Sequence, residues 1–156
     1  MLKYLIDTDV ISKRNAENGA NIRRWLTQVD DNTLAISAIT LFEISRGVQR
    51  KRDTGASELA GRLQDGLDRL KEGFAGRILD LDAAVAEAWG RLAGVEHKQW
   101  MDRGLIATAT IHNLVLVTCN ATDMKGRGAE VINPDRNRPG HWAPDGTELR
   151  SGSAAV

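Results

Sequence analysis

Short apolar runs alternate along this chain with segments in which apolar residues recur every three or four positions. Residues 2–6, 33–37 and 114–118 are runs of mostly apolar, β-forming side chains bounded by polar residues, a pattern typical of buried strands. Two weaker runs, 77–81 and 130–132, follow Gly76 and precede Pro134. The sequence therefore predicts five short strands.

The intervening segments carry the helical period. Ile22, Trp25, Leu26 and Val29 recur at helical spacing, and Asp82 is a natural N-cap for a helix that could run to about Trp100. In the helix after the second strand, the predicted apolar face consists of Ile39, Phe42, Ile44 and Val48. The predicted helices cover residues 10–13, about 22–29, 37–53, 57–74, 82–100 and 105–112.

Strands that alternate with helices favour an α/β fold with a mainly parallel sheet and right-handed crossovers. The 156 residues suit one domain. After Pro134 the composition changes to Pro, Gly, Arg, Asp and Ser, which is typical of a mobile tail. We therefore predict a domain at 1–134 and a C-terminal tail at 135–156.

Composition excludes several classes of site and partner. The single cysteine, Cys119, rules out an internal disulfide and a cysteine-built zinc site. Lys and Arg together number 21, as do Asp and Glu, so net charge gives no general attraction to nucleic acid. Residues 2–6 are too short to cross a bilayer and do not form a signal peptide. We expect a cytoplasmic protein with no membrane partner.

Acidic residues follow the predicted strands at one edge of the sheet. Asp7 ends the first strand, Glu43 lies early in the helix after the second, Asp102 opens the helix before the fourth, and Asp123 follows that strand. The carboxyl end of a strand and the start of its crossover helix lie at the same sheet edge. We therefore expect these carboxylates to meet.

Each acid has a structural explanation when taken alone. Asp9, which follows the first strand at the same edge, is most simply the N-cap of the first helix, with a ligand role as the alternative, and Asp102 suits the positive end of a helix. Glu43 could be a half-exposed helix residue and Asp123 part of a polar loop. Gathered together, however, the carboxylates would repel one another unless a cation neutralised them. Oxygen ligands favour Mg²⁺, with Mn²⁺ as a substitute, and such sites suit phosphodiester hydrolysis by metal-activated water.

Four short motifs carry a family resemblance. They are YLIDTDVIS at 4–12, FEISRG at 42–47, Asp102 followed by LIATA at 105–109, and LVTCNATD at 116–123. In order and separation they resemble PIN-domain ribonucleases, and more narrowly VapC toxins of bacterial toxin–antitoxin modules. The resemblance covers roughly residues 1–134.

The resemblance implies a three-layer α/β/α PIN-like domain and a metal-dependent endoribonuclease that acts on structured RNA. It further implies a homodimer that a cognate antitoxin holds inactive. By motif position it assigns catalysis and metal binding to Asp7, Glu43, Asp102 and Asp123. Thr8, Thr118 and Asn120 would be supporting polar groups that orient carboxylates or waters, although turn chemistry at a strand end would also explain Thr118 and Asn120.

Three features depart from the family pattern, of which one, Met124 in place of a common Phe, is a conservative change in packing. Alignment on the LIATA motif would put Arg103 rather than Asp102 in the place of the third acid, and a slip of one residue rotates a helical side chain by about 100°. We prefer Asp102, because a cation there would oppose metal binding. Cys119 occupies a position that is often basic in the family, which would weaken phosphate contact.

Basic side chains for RNA would come from the helix that carries Glu43. Arg46, Arg50, Lys51 and Arg52 form the densest basic run and could hold phosphates beside the metal. A solvated helix end, where cations suit the negative end of the helix dipole, explains the same run equally well.

Two other functions compete with the nuclease. The Asp7-Thr8-Asp9 triplet after an apolar strand resembles haloacid-dehalogenase-type phosphatases, in which Asp7 would be the nucleophile, but Ile11 stands where those enzymes usually have Thr or Val. The second alternative is a catalytically inactive PIN-like RNA-binding module, which is favoured only if Arg103 replaces the third acid.

Overall fold

The computed structural model describes residues 1–93, 99–124 and 126–135, and its centre is a five-stranded parallel sheet. The strand order is β3-β2-β1-β4-β5, and every pairing between neighbours is parallel. The strands are β1 (Tyr4–Ile6), β2 (Leu34–Ser37), β3 (Ile78–Leu79), β4 (Val115–Val117) and β5 (Val131–Ile132). The α/β prediction is confirmed.

Helices connect the strands. They are α1 (Thr8–Lys13), α2 (Ala20–Gln28), α3 (Ala38–Asp53), α4 (Ser57–Gly73), α5 (Ala83–Ala93), α6 (Trp100–Ile111) and α7 (Ala121–Met124), with a 3-10 turn at Asp31–Thr33. None of the helices in the described ranges is long and apolar enough to cross a membrane.

Two apolar cores, one on each face of the sheet, give the domain three layers. Successive side chains of a strand point to opposite faces, so Leu5 packs with α6, whereas Tyr4 and Ile6 pack with α1 and α2. Leu5 is fully buried, as a central parallel strand requires. The predicted three-layer α/β/α arrangement is confirmed.

The strand order also determines where a ligand would bind. From β1 the chain moves outward through β2 to β3, then returns to the other side of β1 as β4. The chain therefore leaves β1 toward β2 on one side and leaves β4 toward β5 on the other side, so these two connections run in opposite directions. This reversal opens a crevice at the carboxyl ends of the strands, beside Asp7.

Several element boundaries differ from the predictions. The helix predicted from 82 to about Trp100 is described only as α5, as far as Ala93, and Trp100 begins a separate helix, α6, after Gln99, whose φ is +58°. Phe42, predicted on an apolar face, is 53% exposed. The strands predicted at 77–81 and 130–132 are only two residues long, and α7 was not predicted.

Glycine at position 104 permits close packing of three helices. A Cβ atom there would lie 2.6 Å from Ile39 Cδ1 of α3 and 2.9 Å from Trp89 Cε2 of α5, closer than packed carbon atoms approach. Helix α6 therefore sits tightly against both neighbours, which fixes the direction of the side chains in its first turn.

Apart from Asp135, the predicted tail at 135–156 lies outside the described residues. Residue 95, which the sequence places in the helix after Asp82, also lies outside them. The boundary near 134 stays a prediction.

Candidate functional site

A polar pocket of about 460 Å³ lies at the carboxyl edge of the sheet, beside β1. Its lining comes from the β1–α1 junction, the first half of α3, the first turn of α6 and the segment after β4. The lining residues are Asp7, Thr8, Asp9, Ser12, Lys13, Glu43, Asp102 and Asn120.

Asp7 is the most buried acid of the pocket, with 6% of its surface exposed. It occupies the N-cap position of α1, but its side chain makes no capping hydrogen bond. Instead, the Thr118 hydroxyl donates to Asp7 Oδ2 at 2.7 Å. Thr118 is itself fully buried and accepts from the Asn120 backbone N–H at 3.0 Å. The end of β4 therefore holds the Asp7 carboxylate in place.

Asp9 does not cap the first helix, so that interpretation is wrong. It lies within the first turn of α1, and the Cys119 backbone N–H donates to both of its carboxylate oxygens, at 3.2 and 3.0 Å. Asp9 can accept these hydrogen bonds because β4 pairs directly with β1, which brings Cys119 to the start of α1. Asp9 thereby fastens the segment after β4 to the pocket.

Glu43 reaches the pocket from α3. The Thr8 hydroxyl donates to Glu43 Oε2 at 2.6 Å, linking the start of α1 to α3 across the mouth of the pocket. Glu43 is half-buried, and its position in the second turn of α3 follows from the Ser37 N-cap, whose hydroxyl accepts from the Ile39 N–H at 3.1 Å.

Asp102, rather than Arg103, faces the pocket. The Asn120 side-chain amide donates to Asp102 Oδ2 at 3.3 Å. The Arg103 side chain turns the other way, is buried, and donates to the carbonyl oxygens of Leu92 and Ala93 at the end of α5. The inactive-module alternative required Arg103 in the place of the third acid. In the described site Asp102 lies there instead, so that alternative loses its support.

Three of these acids share one pattern of hydrogen bonding. Asp7, Glu43 and Asp102 each accept a hydrogen bond at one carboxylate oxygen, from Thr118, Thr8 and Asn120 respectively. Among the described residues, no hydrogen bond reaches the other oxygen of any of the three. The polar side chains therefore orient the carboxylates and leave one oxygen of each available to a ligand.

Asp123 does not line the pocket. It is an exposed residue in the first turn of α7, and its charge is near enough to Asp102 to contribute the smallest of that residue's electrostatic effects. The structure therefore brings three of the four predicted acids together, with the fourth outside the pocket lining.

Mutual repulsion is evident in the ionisation of the acids. Burial raises the pKa of Asp7 to about 7, and the charges of Asp9, Glu43 and Asp102 act in the same direction, opposed by the Thr118 hydrogen bond. The pKa of Asp102 is also raised, by burial and then by Glu43, while the Asn120 hydrogen bond opposes the shift. When a cation binds among carboxylates whose pKa values are raised in this way, it stabilises their ionised forms.

The donor set fits a hard divalent cation. Within the described ranges, no three acidic, histidine or cysteine side chains lie close enough together to form a preassembled metal site. The free oxygens of Asp7, Glu43 and Asp102 nevertheless border one pocket, without sulfur or imidazole among them. Oxygen donors of this kind suit Mg²⁺ or Mn²⁺, which also retain bound water.

The predicted basic run lies away from the pocket lining. Arg46, Arg50 and Arg52 are exposed on α3, Lys51 is half-buried, and Arg52 donates to Gln64 of α4 at 3.3 Å. The cation that does line the pocket, Lys13, ends α1 and was not singled out from the sequence.

Sequence reasoning placed Asp9 at this edge of the sheet but preferred a helix cap to a ligand role, and it did not single out Ser12 and Lys13. Their spacing carried a usable signal. Asp9, Ser12 and Lys13 stand at i, i+3 and i+4, so that a helix beginning after Asp7 presents all three on one face.

Comparisons with known proteins agree with this architecture. A curated relative, the VapC ribonuclease Y4jK of Sinorhizobium fredii, is 29% identical over 146 residues, covering 83% of this chain and 96% of the relative. The structure of FitAcB from Neisseria gonorrhoeae is similar at 28% identity with a TM-score of 0.66, covering 86% of this chain and 99% of the other. DNA-bound VapBC from Salmonella typhimurium is similar at 25% identity, a TM-score of 0.62, and 86% and 99% coverage.

The family comparison covers the elements that build the pocket. The model of the PIN domain matches residues 4–125, a range that runs from β1 to the end of α7. It includes every residue of the pocket lining and disfavours the phosphatase interpretation. Since the match spans well over half of the sequence, this chain belongs to the PIN domain family.

Proposed function

We propose that this protein is a metal-dependent endoribonuclease, a VapC-type toxin that hydrolyses RNA phosphodiester bonds and is inhibited by a cognate antitoxin. The observation that carries the proposal is the convergence of Asp7, Glu43 and Asp102 on one pocket at the strand switch point. Membership of the PIN domain family and the name of the VapC ribonuclease relative support the same activity.

The acids of the pocket would hold the metal. Asp7, Glu43 and Asp102 would each contribute a free carboxylate oxygen, and Asp123 would add negative charge nearby. When bound, Mg²⁺, or Mn²⁺ in its place, lowers the pKa of a coordinated water and neutralises developing negative charge on phosphate oxygens.

The protein's own contribution is orientation. Thr118, Thr8 and Asn120 each fix one oxygen of an acid, so the opposite oxygen points in a defined direction before any ligand arrives. Preorganised groups of this kind do not have to reorient during the reaction. Thr118 also accepts from the backbone N–H of Asn120, which holds its own hydroxyl in place.

A partner protein and a second copy of the chain complete the proposal. The resemblance to VapC toxins and the structural similarity to DNA-bound VapBC support an antitoxin that covers the acidic pocket. The same resemblance supports a homodimer. We further propose that the protein acts in the cytoplasm, where it would meet cellular RNA.

Metal removal tests this function. Purified protein incubated with total cellular RNA and Mg²⁺ should produce new RNA ends at defined positions, and addition of EDTA should prevent them, because the acids cannot act without the cation. Sequencing of the new 5′ ends measures both the activity and its target. Equal cleavage with and without EDTA would contradict the proposed chemistry, and no cleavage of any RNA would contradict the function.

A further inference from the structure

The acidic pocket has one cation among its described lining residues, Lys13. A pocket otherwise bordered by Asp7, Asp9, Glu43 and Asp102 repels the phosphates of RNA, even after a divalent ion has neutralised part of the charge. A substrate that is anionic along its whole length needs positive charge at the entrance as well as in the centre.

Lys13 is positioned to meet such a substrate. It is the last residue of α1, its side chain is exposed, and it forms no salt bridge with any described carboxylate. Its ammonium group is therefore not held in an ion pair by a described carboxylate and can reach a ligand. A lysine of this kind acts as a mobile point charge with three donors, which suits a phosphate.

The charge of Lys13 lies beside Cys119. Burial and Asp9 raise the pKa of the Cys119 thiol to about 11, and the nearby Lys13 acts against that shift. The thiol therefore stays neutral at ordinary pH and leaves the lysine charge intact.

Combining these observations, we propose that Lys13 binds a phosphate of the RNA at the mouth of the pocket, supplying from the end of α1 the positive charge that the acidic lining residues lack. The inference rests on the proposed ribonuclease function and deepens it. It also differs from the expectation that the basic run on α3 holds the substrate, since none of those residues lines the pocket.

Salt-dependent RNA binding tests this role without any cleavage. In the Asp7→Asn background and without divalent metal, Lys13→Met should lower the affinity for fluorescently labelled bulk tRNA by roughly 3- to 10-fold at low salt. It should also make the slope of log affinity against log salt shallower by about 1, the change expected for the loss of one phosphate contact. In the active protein, Lys13→Met should raise KM with little change in kcat.

Two further variants serve as control and rescue. Lys3→Met removes an exposed lysine at the opposite edge of the sheet, just before β1, and should leave affinity and slope unchanged. Adding Cys119→Lys to Lys13→Met should restore both, because it returns a cation to the same side of the pocket.

The results separate this inference from the function on which it rests. If the wild-type protein cleaves RNA but Lys13→Met retains the wild-type affinity and salt slope, the inference is wrong and the ribonuclease function stands. A loss of affinity that Cys119→Lys does not recover would overturn the assignment of the phosphate to that side of the pocket. Absence of any cleavage by the wild type would remove the proposed function and the inference together.

Discussion

Asp7→Asn is expected to abolish RNA cleavage while stabilising the metal-free fold. The substitution removes a charge that is nearly buried and surrounded by Asp9, Glu43 and Asp102, yet the amide oxygen can still accept the Thr118 hydrogen bond. Cleavage should fall by at least about 10²-fold, the usual loss when one electrostatic contribution to a transition state is removed.

The gain in stability should depend on pH in a defined way. The pKa of Asp7 is about 7 in the folded protein, above its ordinary value of 3.8, so the folded state binds the proton more tightly than the unfolded state. The stability associated with that proton is present below about pH 4 and is lost as the pH rises through 7. The advantage of Asp7→Asn should therefore be small near pH 4 and reach a few kcal/mol at pH 8.

Chemical denaturation in EDTA at several pH values measures this advantage. Asp65→Asn is a matched control, because Asp65 is exposed on α4 and outside the pocket. It should change neither cleavage nor the pH profile. A large loss of stability in metal-free Asp7→Asn would show that Asp7 serves the fold rather than a ligand.

Asp102→Asn and Arg103→Met should have opposite effects although the two residues are adjacent. Asp102 faces the pocket and accepts from Asn120, so its substitution should reduce cleavage by at least about 10²-fold and leave stability unchanged or slightly higher. Arg103 is buried against the end of α5, where it donates to two backbone carbonyls. Its loss should cost about 1–3 kcal/mol of stability by leaving those carbonyls without their donor.

Cleavage per folded molecule distinguishes the two variants. At a temperature at which Arg103→Met remains folded, its specific activity should stay close to that of the wild type. The reverse result, an inactive but stable Arg103→Met beside an active Asp102→Asn, would mean that the alternative alignment of the motif gives the functional residue.

The sequence was sufficient for the fold because its strongest patterns are those of buried strands. The runs before Asp7, Ala38 and Thr118 match β1, β2 and β4, and their parallel pairing alone brings Asp7, Glu43 and Asp102 to one edge. The start of α6 could not be predicted in the same way. The left-handed turn at Gln99 has no glycine to mark it, and apolar periodicity continues on both sides.

Tertiary contacts account for the parts of the site that were predicted wrongly or missed. Whether Asp9 caps a helix or accepts from Cys119 depends on the approach of β4 to β1, which no local pattern records. The choice between Asp102 and Arg103 depends on where α6 begins and on its packing against α5. Asp123 occupies the position that the motif assigns to the fourth acid, yet it is exposed and does not line the pocket.

The most direct test is calorimetric titration of metal-free protein with Mg²⁺, and separately with Mn²⁺, for the wild type and for Asp7→Asn, Glu43→Gln and Asp102→Asn. Substituting even the hydrogen-bond partner of a metal ligand commonly costs about 10- to 100-fold in affinity, so each variant should lose at least that much. A similar loss of metal affinity in all three variants would show that residues from separate parts of the chain bind the same cation. Failure of the wild type to bind either ion, or unchanged binding in all three variants, would contradict the proposed site.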